Sequence, residues 1–238
     1  MIPLQFALRR KMMIAGGGGA PISDLPLGAL INVGTDGGVG TSNYEIADKD
    51  NLVSGGVVLV RKNIYSKSAF GSTASYPNGT LDNLIKTTIY NKMPQKLREQ
   101  MMDVSFPLYN SGNITNITRK MFALTRTMAG FGNNHDVAEG KALQLYTSHA
   151  SRIKTLNGSA AGWWLSSRIN SSGSCYVNTD GTAYGDYPSY SSGVVPAFAI
   201  PLNTIYNTIP NIDGSYELLP DNIPTISTKF IDLSDVLA

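Results

Sequence analysis

The residues of this 238-residue chain that could do chemistry are few and widely spaced. It has two histidines, His135 and His149, and a single cysteine, Cys175. On one helix the histidines would lie about four turns apart, at ~3.6 residues per turn, so they cannot form a local metal pair. One cysteine excludes an internal disulfide and a cysteine zinc cluster, and a buried structural thiol is its expected role. Because no Gly-x-Ser-x-Gly, His-Glu-x-x-His, Walker or dinucleotide-binding pattern occurs, we expect no enzymatic activity, cofactor or metal.

Residues 166–192 instead have the composition of a recognition surface. Tyrosine supplies large amphipathic contact area at low entropy cost, and serine, glycine and asparagines such as Asn170 supply adaptable hydrogen bonds. Tyrosine rings also stack on sugars. The candidate ligand-binding residues are Tyr176, Asn178, Asp180, Tyr184, Asp186, Tyr187 and Tyr190. Two alternatives remain open: Asn178, Asp180 and Asp186 could bind Ca²⁺, although a turn explains Asp180 better, and the segment could be loop filler or a subunit contact.

Strands on either side of this segment must position it. Trp163 and Trp164 are adjacent, and neighbouring side chains of a strand point to opposite faces, so each indole would anchor a different side. A turn signal at 179–182 predicts a hairpin over 175–184. Residues 193–200 form the next apolar strand, in which Phe198 is a third core anchor. Pro196 restricts that strand to an edge, an end or a bulge.

These motifs resemble a known family. The order Trp-Trp-Leu-x-Ser (163–167), Val-Asn-x-Asp-Gly (177–181) and Gly-Val-x-Pro-Ala-Phe (193–198) is similar to the closing section of the DUF6273 domain of bacteria and phages. That domain resembles the C-type-lectin-like fold of formylglycine-generating enzymes and of the variable proteins of diversity-generating retroelements. The resemblance extends upstream to about Leu27, and it implies ligand-facing loops at 166–192.

The chain also departs from the family pattern. Members usually have arginine where this chain has Ser166 and Val195. If those arginines form a buried polar link in relatives, this chain lacks it, and Arg168 is the residue that could replace it. The cysteine or copper chemistry of the formylglycine-generating relatives and the Glu-Pro-Asn and Gln-Pro-Asp calcium motifs of sugar-binding lectins are absent.

The order of elements upstream predicts an α+β fold, with strands at 27–33, 44–47, 56–62, 104–109 and 120–125. The strand at 56–62 is apolar enough to be central, and residues 110–118 are expected to form an exposed polar linker. One helix begins near Thr80, and a second has Pro94 in its first turn. A third is expected over 137–148, capped by Asn134 or Asp136, with His135 at its start and His149 at its end. Its inward face would consist of Ala138, Ala142 and Leu145.

Helices clustered between strands favour α+β over alternating α/β. The predicted architecture is a C-type-lectin-like domain with a twisted antiparallel sheet, two to three helices and long loops. Extended arms are expected at both ends. The predicted parts are a docking arm with a glycine hinge (1–26), the domain (27–203) and an extended C-terminal strap (204–238).

The docking arm is apolar and then basic, and its apolar residues are Leu4, Phe6, Leu8 and Met12. Alternation of Leu4, Phe6 and Leu8 suits a strand added to a partner sheet, whereas Leu4, Leu8 and Met12 share a helical face. Both alternatives remain open. The opening residues also resemble those of small phage tail proteins.

Composition limits the partners and the location. Charged residues make up 15% of the chain, against a typical ~25%, and the formal net charge is +2, so no field recruits nucleic acid or an anionic membrane. No apolar run approaches the ~20 residues of a membrane span, and the N-terminus lacks the charge order of a signal peptide. We expect a virion protein made in the host cytoplasm and released by lysis.

The predicted function is adhesion. We expect a non-enzymatic tail or surface protein of a phage or prophage that recognises host-surface glycan or protein. It would form a homo-oligomer and contact other virion proteins through its arms. The alternatives are a purely architectural subunit (head decoration, collar or tail component) and an enzyme with an unfamiliar site.

Overall fold

The computed structural model describes residues 19–110 and 112–219. Docking-arm residues Leu4, Phe6, Leu8 and Met12, and the strap beyond residue 219, lie outside the described residues. The fold is mixed α+β, dominated by strands in open sheets, which confirms the predicted class.

The strands of the described part are β1 (Gly19–Pro21), β2 (Leu30–Asn32), β3 (Asn43–Lys49), β4 (Gly56–Arg61), β5 (Lys67–Ala69), β6 (Val104–Asn110), β7 (Asn113–Arg119), β8 (Met121–Ala123), β9 (Lys154–Leu156), β10 (Ser159–Ala161), β11 (Trp163–Arg168), β12 (Ser174–Val177), β13 (Ala183–Asp186), β14 (Ser191–Gly193), β15 (Pro196–Pro201), β16 (Ile205–Asn207) and β17 (Tyr216–Glu217). The helices are α1 (Thr80–Asn83), which continues through a π-helical stretch (Leu84–Ile89) into Tyr90–Lys92, then α2 (Gln95–Gln100) and α3 (His149–Arg152). A 3-10 turn spans Ile22–Asp24.

The larger sheet has six strands in the order β17-β2-β3-β4-β15-β8. Strand β4 is buried along its whole length and lies between β3 and β15, which confirms the predicted central strand. Pro196 is the first residue of β15, a position where the missing N–H does not interrupt a ladder. Strand β15 is therefore internal, between β4 and β8, and its proline marks an end rather than an edge.

The second sheet has five strands in the order β13-β12-β11-β14-β5, and β11 carries both indoles into buried positions. Nε1 of Trp163 donates to the Arg152 carbonyl at 2.9 Å, and Nε1 of Trp164 donates to the Ser68 carbonyl at 2.9 Å. Alternation along the strand thus sends the rings to different neighbours, and each buried N–H has a partner.

The mid-chain helices pack as their spacing predicts. Leu81, Ile85 and Ile89 are buried on one face of the helix that begins at Thr80. Leu97 and Met101 are buried at α2, whose N-terminal flanking residue is Pro94. Residues of both large sheets and of these helices belong to one apolar core.

The predicted third helix over 137–148 is wrong. His135 and Asp136 have φ values of 48° and 63°, and Gly140 has a φ of 93°, so left-handed backbone interrupts the segment. The backbone N–H groups of Leu143 and Leu145 instead bond across to Met128 and Ala47, each at 3.0 Å.

The residues buried in this segment also differ from the predicted face. Leu143 and Tyr146 are buried, rather than the face of Ala138, Ala142 and Leu145. His149 begins the short helix α3 instead of ending a long one, and Ser148 caps α3.

The predicted linker over 110–118 is wrong for residues 113–118, which belong to strand β7. Strand β7 pairs with β6 over seven consecutive residues, although residues 113–116 are exposed as expected. The described ends of the chain also pack on the domain. Strand β1 pairs with β16, β17 pairs in parallel with β2, and Ile22 and Leu25 are buried in the core.

Candidate functional site

A groove with a volume of about 520 Å³ opens between β13 and the loop that joins β11 to β12. Tyr184 and Tyr187 line one wall and expose 63% and 60% of their surfaces. The lining residues are Ile169, Asn170, Ser172, Gly173, Ala183, Tyr184, Gly185, Asp186 and Tyr187. The groove therefore combines two phenol rings, one carboxylate, an amide and a hydroxyl around a small apolar floor.

The β12–β13 hairpin positions the aromatic wall. The N–H of Asn178 donates to the Thr182 carbonyl at 2.8 Å and closes the turn that the sequence predicts. Behind the wall the rings of Trp164 and Tyr176 lie 5.9 Å apart, and those of Tyr176 and Tyr184 lie 6.1 Å apart, each edge to face. This ladder of rings supports the exposed Tyr184 from the core outwards.

The opposite wall is a short loop that begins at Ile169. Its backbone closes through an Ile169 N–H that donates to the Gly173 carbonyl at 2.9 Å. A Cβ on Gly185 would lie 2.8 Å from Cγ2 of Ile169, so the glycine allows the loop to lie over β13. The loop can therefore pack closely against β13 because Gly185 has no side chain.

Two side chains hold this loop from outside the groove. Arg168 donates to Oδ1 of Asn110 at 2.6 Å and to the Asn170 carbonyl at 2.9 Å. Nε2 of His135 lies 2.8 Å from the Ile169 carbonyl oxygen, and the His135 ring stacks on Tyr109 with centroids 4.3 Å apart. His135 therefore links the loop wall to β6 instead of capping a helix.

The residues at the departures from the family pattern are both buried. The hydroxyl of Ser166 has no hydrogen-bond partner among the described residues, and Val195 packs in the core. The contacts of Arg168 reach Asn110 and Asn170, so this arginine joins β11 to β6 and to the loop wall.

The predicted site residues fall into three places. Tyr184, Asp186 and Tyr187 line the groove, and Tyr190 stands beside Tyr187 with ring centroids 5.5 Å apart. Tyr176 supports Tyr184 from behind. Its pKa is raised, mainly by burial and to a smaller extent by the nearby Asp186 carboxylate.

The other two predicted residues lie at the hairpin turn. Asn178 accepts from the Thr179 N–H at 2.8 Å, and Asp180 accepts from the Thr182 N–H at 2.9 Å and its hydroxyl at 2.6 Å. These turn contacts explain both side chains. Over residues 19–110 and 112–219, no group of three or more His, Cys, Asp or Glu side chains could hold a metal ion.

The sequence did not single out Ile169, Ser172 or Gly173 as lining residues. The only signal was the polar run Asn-Ser-Ser-Gly at 170–173, directly after β11. Cys175 lies behind the groove in β12, where burial raises the pKa of its thiol to about 11. It is therefore a protonated, packed side chain at neutral pH.

A buried carboxylate, Glu139, anchors the irregular segment beside the loop wall. Its oxygens accept from the Tyr109 N–H at 2.9 Å, from Nδ2 of Asn134 at 3.2 Å and from the Ser167 hydroxyl. Burial raises the pKa of Glu139 above its ordinary value of 4.5, although these hydrogen bonds oppose the shift.

Replacing Glu139 with glutamine should change the pH dependence of stability. An acid with a raised folded pKa stabilises the fold most fully below its unfolded value of 4.5, and this contribution is lost as the pH rises through the folded value. We expect wild type to lose stability relative to Glu139→Gln as the pH increases above 4.5, measured by urea unfolding at a series of pH values. Glu99→Gln, at an exposed carboxylate, is the matched control; parallel curves for Glu139→Gln and wild type would contradict the assignment.

Comparison with protein families and known proteins identifies a family. A family model described as "Domain of unknown function (DUF6273)" matches residues 54–202, a stretch that includes both walls of the groove. No curated protein and no solved structure matches the chain. Within the described residues, none of the helices is both long and apolar enough to span a bilayer.

Proposed function

The chain belongs to the DUF6273 family, and we propose that it is a non-enzymatic phage or prophage virion protein that attaches to a glycan on the host surface. The binding site in this proposal is the groove between Tyr184 and the loop at Ile169. The proposal takes the fold to be C-type-lectin-like and takes the groove to be formed by that fold's ligand-facing loops.

The exposed tyrosines of the groove are the observation that carries the proposal. Tyr184 and Tyr187 present most of their ring surface to solvent, while the core ladder fixes the position of Tyr184. Such rings offer apolar faces to the C–H side of a sugar at low entropy cost.

The polar lining completes the match to a sugar. Asp186, Asn170 and Ser172 lie at the same opening and can accept or donate hydrogen bonds to hydroxyl groups. Asp186 is the only charged side chain among the lining residues, so the groove favours a neutral or cationic sugar over an anionic one.

Removing the aromatic wall tests the proposal. We expect the purified protein to bind neutral oligosaccharides on a glycan array, and Tyr184→Ala and Tyr187→Ala each to weaken binding by about tenfold, equal to about 1.4 kcal/mol. Tyr184→Phe keeps the ring and should retain most of the affinity. Ile209→Ala removes an exposed side chain outside the groove and serves as the matched control.

Incorporation of the variants into virus particles distinguishes adhesion from an architectural role. If the tyrosine variants bind glycans and host cells as wild type does but fail to enter particles, the groove contacts a neighbouring subunit and the protein is architectural. If only peptides or proteins compete for the groove, the receptor is a protein and the sugar assignment is wrong.

A further inference from the structure

We propose that β7 (Asn113–Arg119) pairs with β7 of a second copy of this chain, in an antiparallel register centred on Asn116. None of the β7 residues lines the groove, and the interface does not depend on what the groove binds. It gives the expected homo-oligomer a specific contact surface.

The backbone of β7 has an outward row of hydrogen-bonding groups. Asn110 pairs with Asn113, so two residues of the sequence separate the paired ends of the two strands. The residues that flank a two-residue loop exchange both backbone hydrogen bonds, and every second pair beyond them does the same. The N–H and C=O groups of Ile114, Asn116 and Thr118 therefore point away from β6.

Two observed contacts support this assignment of directions. The Tyr109 N–H, which by the same alternation faces away from β7, donates to Glu139 at 2.9 Å. The Thr118 carbonyl, predicted to face outward, accepts from the Arg119 side chain at 2.9 Å rather than from β6. The ladder and its outer edge are thus consistently oriented.

This edge lacks the features that usually prevent edge pairing. Residues 113–118 contain no proline and no charged residue, and the seven-residue ladder with β6 has no bulge. Ile114 exposes 60% of its surface. Strands β6 and β7 form a separate two-stranded sheet, and the outermost strands of the two large sheets are shorter, at two to four residues, in β17, β8, β13 and β5.

The sequence of this edge complements itself. An antiparallel pair centred on Asn116 places Asn116 opposite its own copy and Ile114 opposite Thr118, which matches outward groups with outward groups. These three rungs allow about six backbone hydrogen bonds. The register also opposes Arg119 to Asn113, and Arg119 is already paired with Asp82 at 2.8 Å, so no like charges face each other.

One paired strand buries less than the ~1,000 Å² typical of a stable interface. We therefore expect concentration-dependent association in solution, strengthened where copies are held side by side in an assembly. A second copy fits better than a charged partner, since the exposed row offers no charge to attract one.

A substitution at Asn116 can disrupt the proposed interface without disrupting the fold. Because the Asn116 N–H points outward, Asn116→Pro removes an interface donor without removing a bond of the β6–β7 ladder. We expect sedimentation velocity to show a monomer–dimer equilibrium for wild type and for Asn116→Ala, and a monomer for Asn116→Pro with a similar melting temperature. A wild-type protein that is monomeric at its highest soluble concentration, or an Asn116→Pro protein that still dimerises, would overturn the proposal.

Cross-linking tests the register. Opposed residues of a hydrogen-bonded pair have Cα atoms about 5.5 Å apart, within the range of a disulfide. We expect mild oxidation to convert Asn116→Cys to a covalent dimer and to leave Thr115→Cys largely monomeric, because residue 115 would lie opposite residue 117. The native Cys175 is buried and should not interfere. Equal cross-linking of both variants would exclude this register.

Discussion

Arg61→Met should reduce the free energy of unfolding by about 3–5 kcal/mol, because it leaves the buried Asp36 carboxylate without its cation. Both side chains are fully buried, and Nε of Arg61 donates to Asp36 at 2.6 Å. The guanidinium also bonds the Asn63 carbonyl at 2.9 Å and the Val39 carbonyl at 3.1 Å. It therefore joins the end of β4 to the glycine-rich loop that contains Asp36.

The penalty should depend on pH in a predictable direction. Burial alone would raise the pKa of Asp36, but the hydrogen bonds and charge of Arg61 lower it below 3.8. In wild type the stabilisation is present above 3.8 and is lost as the pH falls through the lower folded value. In Arg61→Met burial dominates and the acid can be protonated, so the difference from wild type should shrink as the pH decreases towards 3.8.

Urea unfolding of wild type and three variants checks this result. Lys62→Met is the matched control, since Lys62 is half exposed and its pair with Glu45 should contribute no more than about 1 kcal/mol. Asp36→Asn combined with Arg61→Met should recover part of the loss, because the uncompensated charge is gone. Equal destabilisation by Arg61→Met and Lys62→Met would show that burial of the pair has little energetic effect.

The elements that could be predicted from the sequence are those with a local period. Leu81, Ile85 and Ile89 recur at helical spacing and are buried on one face. The run at β4 has no polar residue before Arg61, which is typical of a strand covered on both sides. The hairpin of β12 and β13 was predicted from its turn residues and the β-favouring runs on either side.

The helix prediction for residues 137–148 failed because the apparent helical periodicity depended on small side chains. Ala138 and Ala142 bury little area, so their spacing says little about which face is inward. The energetic contribution comes from Leu143 and Tyr146, and from Glu139, whose partners Tyr109 and Ser167 lie about 30 residues away in sequence. Spacing within the segment does not reveal such contacts.

The buried charges illustrate the same limit. Lys154 is buried against Glu45, 109 residues away, with Tyr146 bonded to the same carboxylate at 3.1 Å. Each residue alone resembles an ordinary surface charge. Only the pairing of distant strands shows that they compensate each other inside the fold.

Only the tyrosine wall of the groove could be predicted from the sequence. Its tyrosines were recognisable from composition, but the opposite wall depends on Ile169 lying over Gly185, a contact between a loop residue and a residue of another strand. The β7 edge was missed for a related reason, since its residues 113–116 are polar or exposed and resemble a linker. Strand pairing, rather than side-chain pattern, gives that segment its structure.

Trp164→Ala should cost about 3–5 kcal/mol and should also loosen the aromatic wall of the groove. Trp164 is buried, its ring contacts Phe70 at 5.7 Å and Tyr176 at 5.9 Å between centroids, and its N–H satisfies the Ser68 carbonyl. Truncation removes the support of Tyr176, which in turn supports Tyr184.

Trp163→Ala is the matched control for that second effect. It should cost a similar amount of stability, but its indole bonds the Arg152 carbonyl and not the residues behind the groove. At a temperature where both variants remain folded, we expect tyrosine iodination mapped by mass spectrometry to increase at Tyr176 in Trp164→Ala alone. Glycan binding should fall in the same variant. An equal rise in both variants would mean that general loosening, and not the ladder of rings, controls the wall.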